Sequence, residues 1–256
     1  MDEKQNKSSK KHTGVIITWI IVAIIVIIGG AFLYLHLSKP SAKDALDTAA
    51  KTKINSTRAT LVIKQNKTNS ETLTYELKDN TIHLSNNFVP KNKNQEQDNW
   101  ITKDKFYFLT NNKWNYMKRN SLTNTFVKNS EDTYKQIFTG HDFNKLSNEA
   151  MKKFNVQLDG LKGYTLTYQG SNQAVIKGML KVASGTNESD SSQIKNIDVT
   201  IKTNRQKELT GYNIYYTFKN NESSTRMKLD EINSVNSLSV PKKVKTAKEI
   251  VTPNLR

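Results

Sequence analysis

The apolar residues of this chain follow three patterns, and the first is a continuous run. Val15–Leu37 contains no charged side chain. A helix of this length would be about 34 Å long, enough to cross the roughly 30 Å hydrocarbon core of a bilayer. Trp19 lies near one end of the run, and Tyr34 and His36 near the other, where amphipathic side chains collect at membrane interfaces. The run predicts one transmembrane helix.

A cleaved signal peptide is the competing interpretation of this run. Its apolar core is usually about 7–15 residues long and is followed by small residues at the cleavage site. The run here is longer, and residues 38–42 lack an A-x-A pattern. We therefore expect an uncleaved signal anchor, with residues 1–14 in the cytoplasm and residues 38–256 outside the cell. Lysines flank both ends of the run, so the positive-inside bias is weak. The orientation therefore rests on the order of the segments, because a short tail followed by one span and a long domain usually leaves the tail in the cytoplasm.

The second pattern has helical spacing. Ser41 and Asp44 form a capping pattern that predicts a helix over 42–53. In the middle of the chain, three further sets of apolar residues recur at helical intervals. The first set is Tyr134, Ile137 and Phe138, and the second is Phe143, Leu146, Ala150 and Phe154. The third set is Val175, Ile176, Met179 and Leu180, which predicts a short helix over 172–183.

The third pattern is alternation, which predicts strands with one buried face. Polar segments over 89–99 and 184–192 are expected to be loops, and the change of phase between Leu229 and Ile232 suggests a β-bulge. The alternating segments are 59–64, 73–77, 82–84, a hairpin over 100–116, 164–168, 197–202, 212–218 and a strand around 227–229.

Consecutive strands joined by short polar turns predict an antiparallel sheet with one packed face and one solvated face. The helices that separate the two groups of strands must cover the packed face. The expected fold class is therefore α+β, with a core domain over about 42–248 after the anchor.

Composition excludes several classes of protein. The chain has no cysteine, which removes disulfides, thiolate metal sites, cysteine nucleophiles and the lipidated cysteine of a bacterial lipoprotein. Its 39 Lys and Arg residues outnumber 23 Asp and Glu residues, for a net charge of +16. Without the four lysines, Asp2 and Glu3 of the tail, the exported part has a net charge of +14. An exported domain of this charge would be attracted to anionic lipid headgroups or envelope polymers. Because the lysines are spread along the chain, nucleic acid is not an expected partner.

No catalytic or metal-binding pattern in the sequence has the context that its chemistry needs. Ser-x-x-Lys occurs at Ser8/Lys11 in the tail and at Ser239/Lys242, where Pro241 breaks the helix that this motif requires. The four histidines are scattered, and there is no H-x-x-x-H pair, no G-x-S-x-G and no P-loop. Glu188, Asp190 and Asp198 do not have the spacing of an EF-hand loop. We expect no enzyme activity, no catalytic residue, no cofactor and no metal.

The alternating aromatic and aliphatic residues are the candidate functional positions. They would line either an ordinary core or a cavity for an apolar ligand, and the sequence leaves both open. The candidates are Leu61, Ile63, Tyr75, Phe106, Phe108, Tyr164, Leu166, Tyr212, Tyr216 and Phe218.

The order of these segments resembles the LolA-like superfamily, which includes the LppX and LprG type of lipid-binding lipoproteins. The resemblance covers roughly 42–248 and is carried by the leading helix with the strand after it, the aromatic hairpin WITKDKFYFLTNNKWNYM, and the closing strands ELTGYNIYYTFKNNESSTRMKLDEINSV followed by SVPKKVKTA. Uncharacterised surface lipoproteins of low-GC Gram-positive bacteria look similar. The resemblance implies an incomplete antiparallel half-barrel whose concave face is covered by helices around a cavity for acyl chains. This chain departs from it in having an apolar helix instead of a lipidated cysteine.

Two functions follow as expectations. The first is a non-enzymatic domain, anchored in the cell membrane and exposed outside, that binds lipid or another hydrophobic ligand. The second is a protein-interaction or sensory module whose interior is filled by its own side chains. A membrane-anchored protein could present or sense a lipid, but it could not carry one freely between membranes.

Overall fold

The structure is a computed structural model that describes residues 39–90, 97–184, 188–220 and 222–250. The predicted tail over 1–14 and the predicted anchor Val15–Leu37 lie outside the described residues. Within the described residues, no helix is both long enough and apolar enough to cross a membrane.

The described domain contains helices inserted into a series of strands. The helices are α1 Ala42–Ala49, α2 Ser121–Thr139, α3 Asn148–Met151, α4 Gln173–Ser184 and α5 Lys242–Lys245, with 3-10 turns at Phe143–Lys145 and Glu188–Gln193. The strands are β1 Ser56–Lys64, β2 Ser70–Lys78, β3 Thr81–Val89, β4 Gln97–Ile101, β5 Lys105–Thr110, β6 Lys113–Lys118, β7 Asn155–Asp159, β8 Gly163–Gly170, β9 Ile194–Thr203, β10 Leu209–Phe218, β11 Ser224–Asp230 and β12 Lys248–Glu249.

The strands form a single open sheet. Two antiparallel meanders, β1–β6 and β7–β11, are joined where β1 pairs with β11, and β12 adds to β6 in parallel. The edge strands are β7 and β12. The predicted α+β class with a mainly antiparallel sheet is therefore confirmed.

Several local predictions are confirmed by the backbone. Ser41 caps α1 by accepting a hydrogen bond from the Asp44 backbone N–H at 3.1 Å, although the helix ends at Ala49 instead of residue 53. The helix expected over 172–183 is α4. The predicted aromatic hairpin turns at Asn111 and Asn112, whose φ values of 50° and 59° suit a tight turn between twisted strands.

The helix suggested by Phe143, Leu146, Ala150 and Phe154 is wrong. A 3-10 turn ends at Leu146, which is extended, and Ser147 then caps the separate short helix α3. All four apolar side chains are nevertheless buried, so their spacing reflects contact with the core and not one continuous helix.

The other deviations concern where strands begin and end. β3 extends to Val89 and β4 begins at Gln97, so part of the loop expected over 89–99 is strand, while residues 91–96 lie outside the described residues. The expected bulge after Leu229 is instead the end of β11, because Glu231 and Asn233 adopt φ values of 51° and 57°. The loop expected over 184–192 contains the 3-10 turn Glu188–Gln193.

The main core lies between one face of the sheet and helices α1 to α4. On the β1–β6 side, the Tyr75 ring stacks on Phe138 of α2 at a centroid distance of 5.0 Å. On the β7–β11 side, Tyr212 meets the edge of Phe143 at 6.3 Å, and its hydroxyl donates to the Gly140 carbonyl at 2.9 Å. We call this the helix-bearing face.

A smaller cluster lies on the opposite face of β4 to β6. It consists of Trp100, Tyr107 and Val244, with Leu238 and Val240 packed against them. The C-terminal segment therefore covers the outer face of one meander only. The outer face of β8 to β11 carries mainly hydroxyl, amide and charged side chains, as an alternating pattern requires.

We predict that Gly163→Ala destabilises the fold much more than Gly160→Ala. Gly163 has φ +149° and an added Cβ would overlap the Thr203 carbonyl oxygen, whereas Gly160 has φ +50° with open space around it. We expect Gly163→Ala to cost about 3 kcal/mol and Gly160→Ala about 1 kcal/mol, read as the shift in thermal unfolding. Equal shifts for the two variants would contradict the backbone described here.

Candidate functional site

The strand register places all ten candidate residues on the helix-bearing face. Tyr75 pairs with Ala59, and Leu61 lies two residues further along the same strand face and pairs with Met227 of β11. Pairing continues from Leu166 to Ile201 and from there to Tyr212. Phe106 and Phe108 belong to this face because Phe106 pairs with Ile101, which pairs with Ile82. The alternation read from the sequence therefore identifies one physical surface.

The helices cover this surface unevenly. Half of the candidates are buried core, namely Tyr75, Tyr164, Leu166, Tyr212 and Tyr216. The other half are only partly buried, namely Leu61, Ile63, Phe106, Phe108 and Phe218. Leu61, Phe106 and Phe218 pack against the buried core, so the core is continuous with side chains that are only partly covered.

Most of the partly covered residues lie at one end of the sheet. Leu61 and Ile63 lead to the β1–β2 loop, Leu73 pairs with Leu61, and Phe218 ends β10. We call Leu61, Ile63, Leu73 and Phe218 the apolar end. Separately, Phe106 and Phe108 stack on each other at 5.4 Å on β5.

Polar groups are interspersed with the apolar end. Asn86 pairs with Leu73 in the register, and its side-chain N–H donates to Glu71 Oε1 at 2.6 Å. The Asn86 Oδ1 atom and the hydroxyls of Tyr216 and Tyr75 are buried without a hydrogen-bond partner among the described residues. A buried polar group of this kind costs about 1–3 kcal/mol unless something supplies a partner.

The buried tyrosines are not acid–base groups at physiological pH. Burial raises the pKa of the Tyr75, Tyr212 and Tyr216 phenols, because the charged phenolate is disfavoured away from water. They stay neutral, so they can pack and form hydrogen bonds.

A pocket of about 430 Å³ opens between α2 and the β2–β3 turn. Leu77 and Ile82, which belong to the helix-bearing face, are among its lining residues. Arg119 and Glu131, joined at 2.7 Å, fix α2 beside the pocket, and Lys135 lies on its rim. Sequence reasoning missed these residues, because they come from separate segments that meet only in the folded chain.

A second pocket of about 710 Å³ lies at the β1–β2 loop, at the opposite end of β2 from the first pocket. Lys64, Lys67 and Lys195 line it together with hydroxyl and amide side chains and the carboxylate of Glu222. None of the ten candidates lines any pocket described here, so a cavity formed by them stays a prediction.

The outer face of β1 to β4 carries a row of charged groups. His83 contacts Glu76 through Nδ1 and Asp98 through Nε2, each at 2.9 Å, and Glu76 also accepts from Arg58 Nε at 2.7 Å. The His83 ring stacks on Trp100 at 4.1 Å. Among the described residues, no three histidine, aspartate or glutamate side chains are grouped so as to hold a metal ion.

Comparison with known proteins gives structural neighbours only. No protein-family model matches the sequence, and no curated protein matches it. LprF from Mycobacterium bovis aligns with a TM-score of 0.38 and 14% identity, over 80% of this chain and 99% of its own. An uncharacterised conserved protein from Thermus thermophilus aligns with a TM-score of 0.29 and 8% identity, over 82% of this chain and 99% of its own.

A third neighbour is a Vibrio parahaemolyticus domain whose name assigns it to outer membrane lipoprotein sorting. It aligns with a TM-score of 0.20 and 11% identity, over 73% of this chain and 91% of its own. LprF and this domain are of the kinds that the sequence resembles, at identities of 14% and 11%. Every one of these TM-scores is below 0.5, so the neighbours assign no ligand to this chain.

The charged row predicts a pH-dependent stability. Burial lowers the pKa of His83, but the hydrogen bonds to Asp98 and Glu76 raise it more, so its folded pKa is above the ordinary value. Burial raises the pKa of Glu76, but hydrogen bonds from His83 and Arg58 lower it below its ordinary value. His83 therefore adds to the free energy of unfolding below about pH 6.5, and this stabilisation is lost as the pH rises through the folded pKa of His83. Glu76 stabilises the fold above about pH 4.5, and its stabilisation is lost as the pH falls from there through the folded pKa of Glu76.

We therefore expect His83→Gln to lower the free energy of unfolding by about 1 kcal/mol more near pH 6 than near pH 9. The measurement is thermal unfolding of both proteins at the two pH values. A loss that is the same at both pH values would show that only the stacking on Trp100 matters.

Proposed function

We propose that this protein binds an amphiphile, a lipid or another hydrophobic ligand, on its helix-bearing face without chemically changing it. The observation that carries the proposal is the apolar end, where the core continues into Leu61, Ile63, Leu73 and Phe218 without complete cover. Each methylene moved from water onto such a surface is worth about 0.8 kcal/mol, so an acyl chain supplies binding energy directly.

The polar atoms beside the apolar end indicate what the other part of the ligand has to offer. Asn86 Oδ1 is an acceptor without a partner among the described residues, and the Tyr216 hydroxyl can donate or accept. Glu71 adds a carboxylate next to Asn86. These groups favour a ligand that donates hydrogen bonds, such as a hydroxylated or amine-bearing headgroup, and disfavour an anionic group at this position.

A membrane anchor and a curved sheet are two further parts of the proposal. Val15–Leu37 would hold the protein in the cell membrane with its N-terminus inside and the described domain outside. The helix-bearing face would be the concave side of a half-barrel, and the lysine-lined pocket at the β1–β2 loop could contact an anionic envelope polymer. Permanent anchoring limits the protein to presenting or sensing its ligand.

A second function is supported by a different observation. The pockets described here are lined largely by polar groups, and Tyr75, Tyr164, Leu166, Tyr212 and Tyr216 are buried. A protein-interaction or sensory module with a filled interior would have these properties. The two functions differ in whether lipid is retained on the helix-bearing face.

We predict that Leu61→Asp lowers the amount of lipid that the full-length protein retains several-fold, because a carboxylate would then occupy the apolar end. Val62→Asp is the matched control, since Val62 is also partly buried on β1 but points to the outer face. The readout is mass spectrometry of lipid per protein after purification in the same detergent, which leaves the contribution of the anchor equal in both variants.

Phe108→Asp on β5 provides a second test, with Leu109→Asp on the opposite face as its control. Leu166→Asp is not informative, because Leu166 has no exposed surface and a charge there would unfold the domain. Equal lipid retention by each variant and its control, with unfolding temperatures unchanged, would favour the interaction module.

A further inference from the structure

The pocket of about 710 Å³ at the β1–β2 loop is built on one row of the sheet. The row crosses the outer face of six adjacent strands, each member pairs with the next in the strand register, and each lines the pocket. From β3 to β9 the row is Val89, Ser70, Lys64, Ser224, Thr217 and Asn196. The floor of the pocket is therefore the regular sheet and not a loop alone.

Two loops flank this row, and an asparagine side chain fixes each of them. In the β1–β2 loop, Asn66 Oδ1 accepts from the N–H groups of Thr68 and Asn69 at 2.9 and 2.8 Å. In the β10–β11 loop, Asn220 Oδ1 accepts from the Glu222 N–H at 3.2 Å. Because the loops are held by their own side chains, the pocket between them is formed before a ligand enters.

The lining of the pocket is mainly basic. Lys64, Lys67 and Lys195 line it together with one carboxylate, that of Glu222. Neither Lys64 nor Lys67 forms an ion pair with another described residue, so their ammonium groups can bind a ligand. Ammonium groups surrounded by hydroxyl and amide side chains suit a phosphate ester that also carries hydroxyl groups.

Tyr215 lines the pocket on the β10 side and brings a further cation next to it. The Arg226 guanidinium lies 4.8 Å from the centre of the Tyr215 ring. Asp198 of β9 pairs with Tyr215 and adds a second carboxylate beside the pocket. Four cations therefore accompany two carboxylates, and the excess of positive charge matches one phosphate group.

The pocket and the apolar end lie on opposite faces of the same strand ends. Successive residues of a strand point to opposite faces, so Ile63 belongs to the apolar end and Lys64 to the pocket, with their Cα atoms about 3.8 Å apart. On β10, Thr217 lines the pocket and Phe218 belongs to the apolar end. β1 and β11 belong to different hairpins, so their last pair, Lys64 with Ser224, lies between the two loops.

We propose that the pocket binds the headgroup of the amphiphile whose acyl part lies at the apolar end, and that this headgroup is a phosphate ester with free hydroxyl groups. The headgroup would pass over the end of the β1–β11 pair, with its phosphate on the lysines and its hydroxyls on the neighbouring polar side chains. The inference rests on the proposed function, because both parts of the ligand belong to one molecule. It places the anionic group away from Asn86 and Glu71, which disfavour it on the helix-bearing face.

The test offers the full-length protein two lipids with the same acyl chains, phosphatidylglycerol and diacylglycerol, in one nonionic detergent. Mass spectrometry measures the ratio in which they are retained. We expect Lys64→Gln combined with Lys67→Gln to lower the ratio of phosphatidylglycerol to diacylglycerol several-fold, with the unfolding temperature unchanged. The matched control combines Lys162→Gln with Lys202→Gln, which removes two exposed lysines near the start of β8 and the end of β9, away from the pocket, and leaves the ratio unchanged.

The same ratio in the two double variants would overturn the proposal. A soluble glycerol phosphate oligomer without acyl chains, titrated by calorimetry, separates a lipid headgroup from a free polymer. If the oligomer binds as tightly as the lipid and Leu61→Asp leaves the lysine-dependent binding intact, the pocket takes a free polymer and its assignment to the amphiphile is overturned. Failure of the proposed function is read separately, as equal total lipid retention by Leu61→Asp and Val62→Asp.

Discussion

The pairing of β1 with β11 is the interaction on which the rest of the structure depends. It joins segments from the two ends of the described domain and is reinforced where the Thr57 hydroxyl donates to the Asp230 carbonyl at 2.8 Å and Asn233 Oδ1 accepts from the Asn55 N–H at 2.8 Å. Without it, each meander would have an additional open edge and only part of the core. With it, the two meanders present one continuous helix-bearing face.

The helices cover that face where the two meanders meet α1, α2 and α4, but not at its margins. Tyr75 and Phe138 close the interior beneath α2, and Val175, Ile176 and Met179 of α4 are fully buried over the other meander. The apolar end is the part the helices leave, and its neighbours Asn86 and Tyr216 have polar atoms that lack partners in the described residues. The placement of the helices over the sheet therefore determines both which residues form the core and which form the candidate site.

The alternation of apolar and polar residues is sufficient to identify the helix-bearing face, because an antiparallel sheet with one solvated face imposes a two-residue period on its strands. It failed for β7, where Val156 and Leu158 are too few to form a pattern, and for Phe143 to Phe154, where helical spacing arose from three separate segments around one core. The extent of cover could not be predicted, because it depends on where α2 and α4 lie over strands distant in sequence. The pocket beside Arg119 and Glu131 was missed for the same reason.

Mapping where an apolar ligand touches the native protein tests ligand binding on the helix-bearing face most directly. A photoactivatable fatty acyl probe would be incorporated into membranes that contain the full-length chain, and the adducts located residue by residue by mass spectrometry. We expect adducts at Leu61, Ile63 and Phe218 in addition to those in the anchor. Adducts confined to Val15–Leu37, or distributed equally over Leu61 and Val62, would contradict a ligand site on the helix-bearing face.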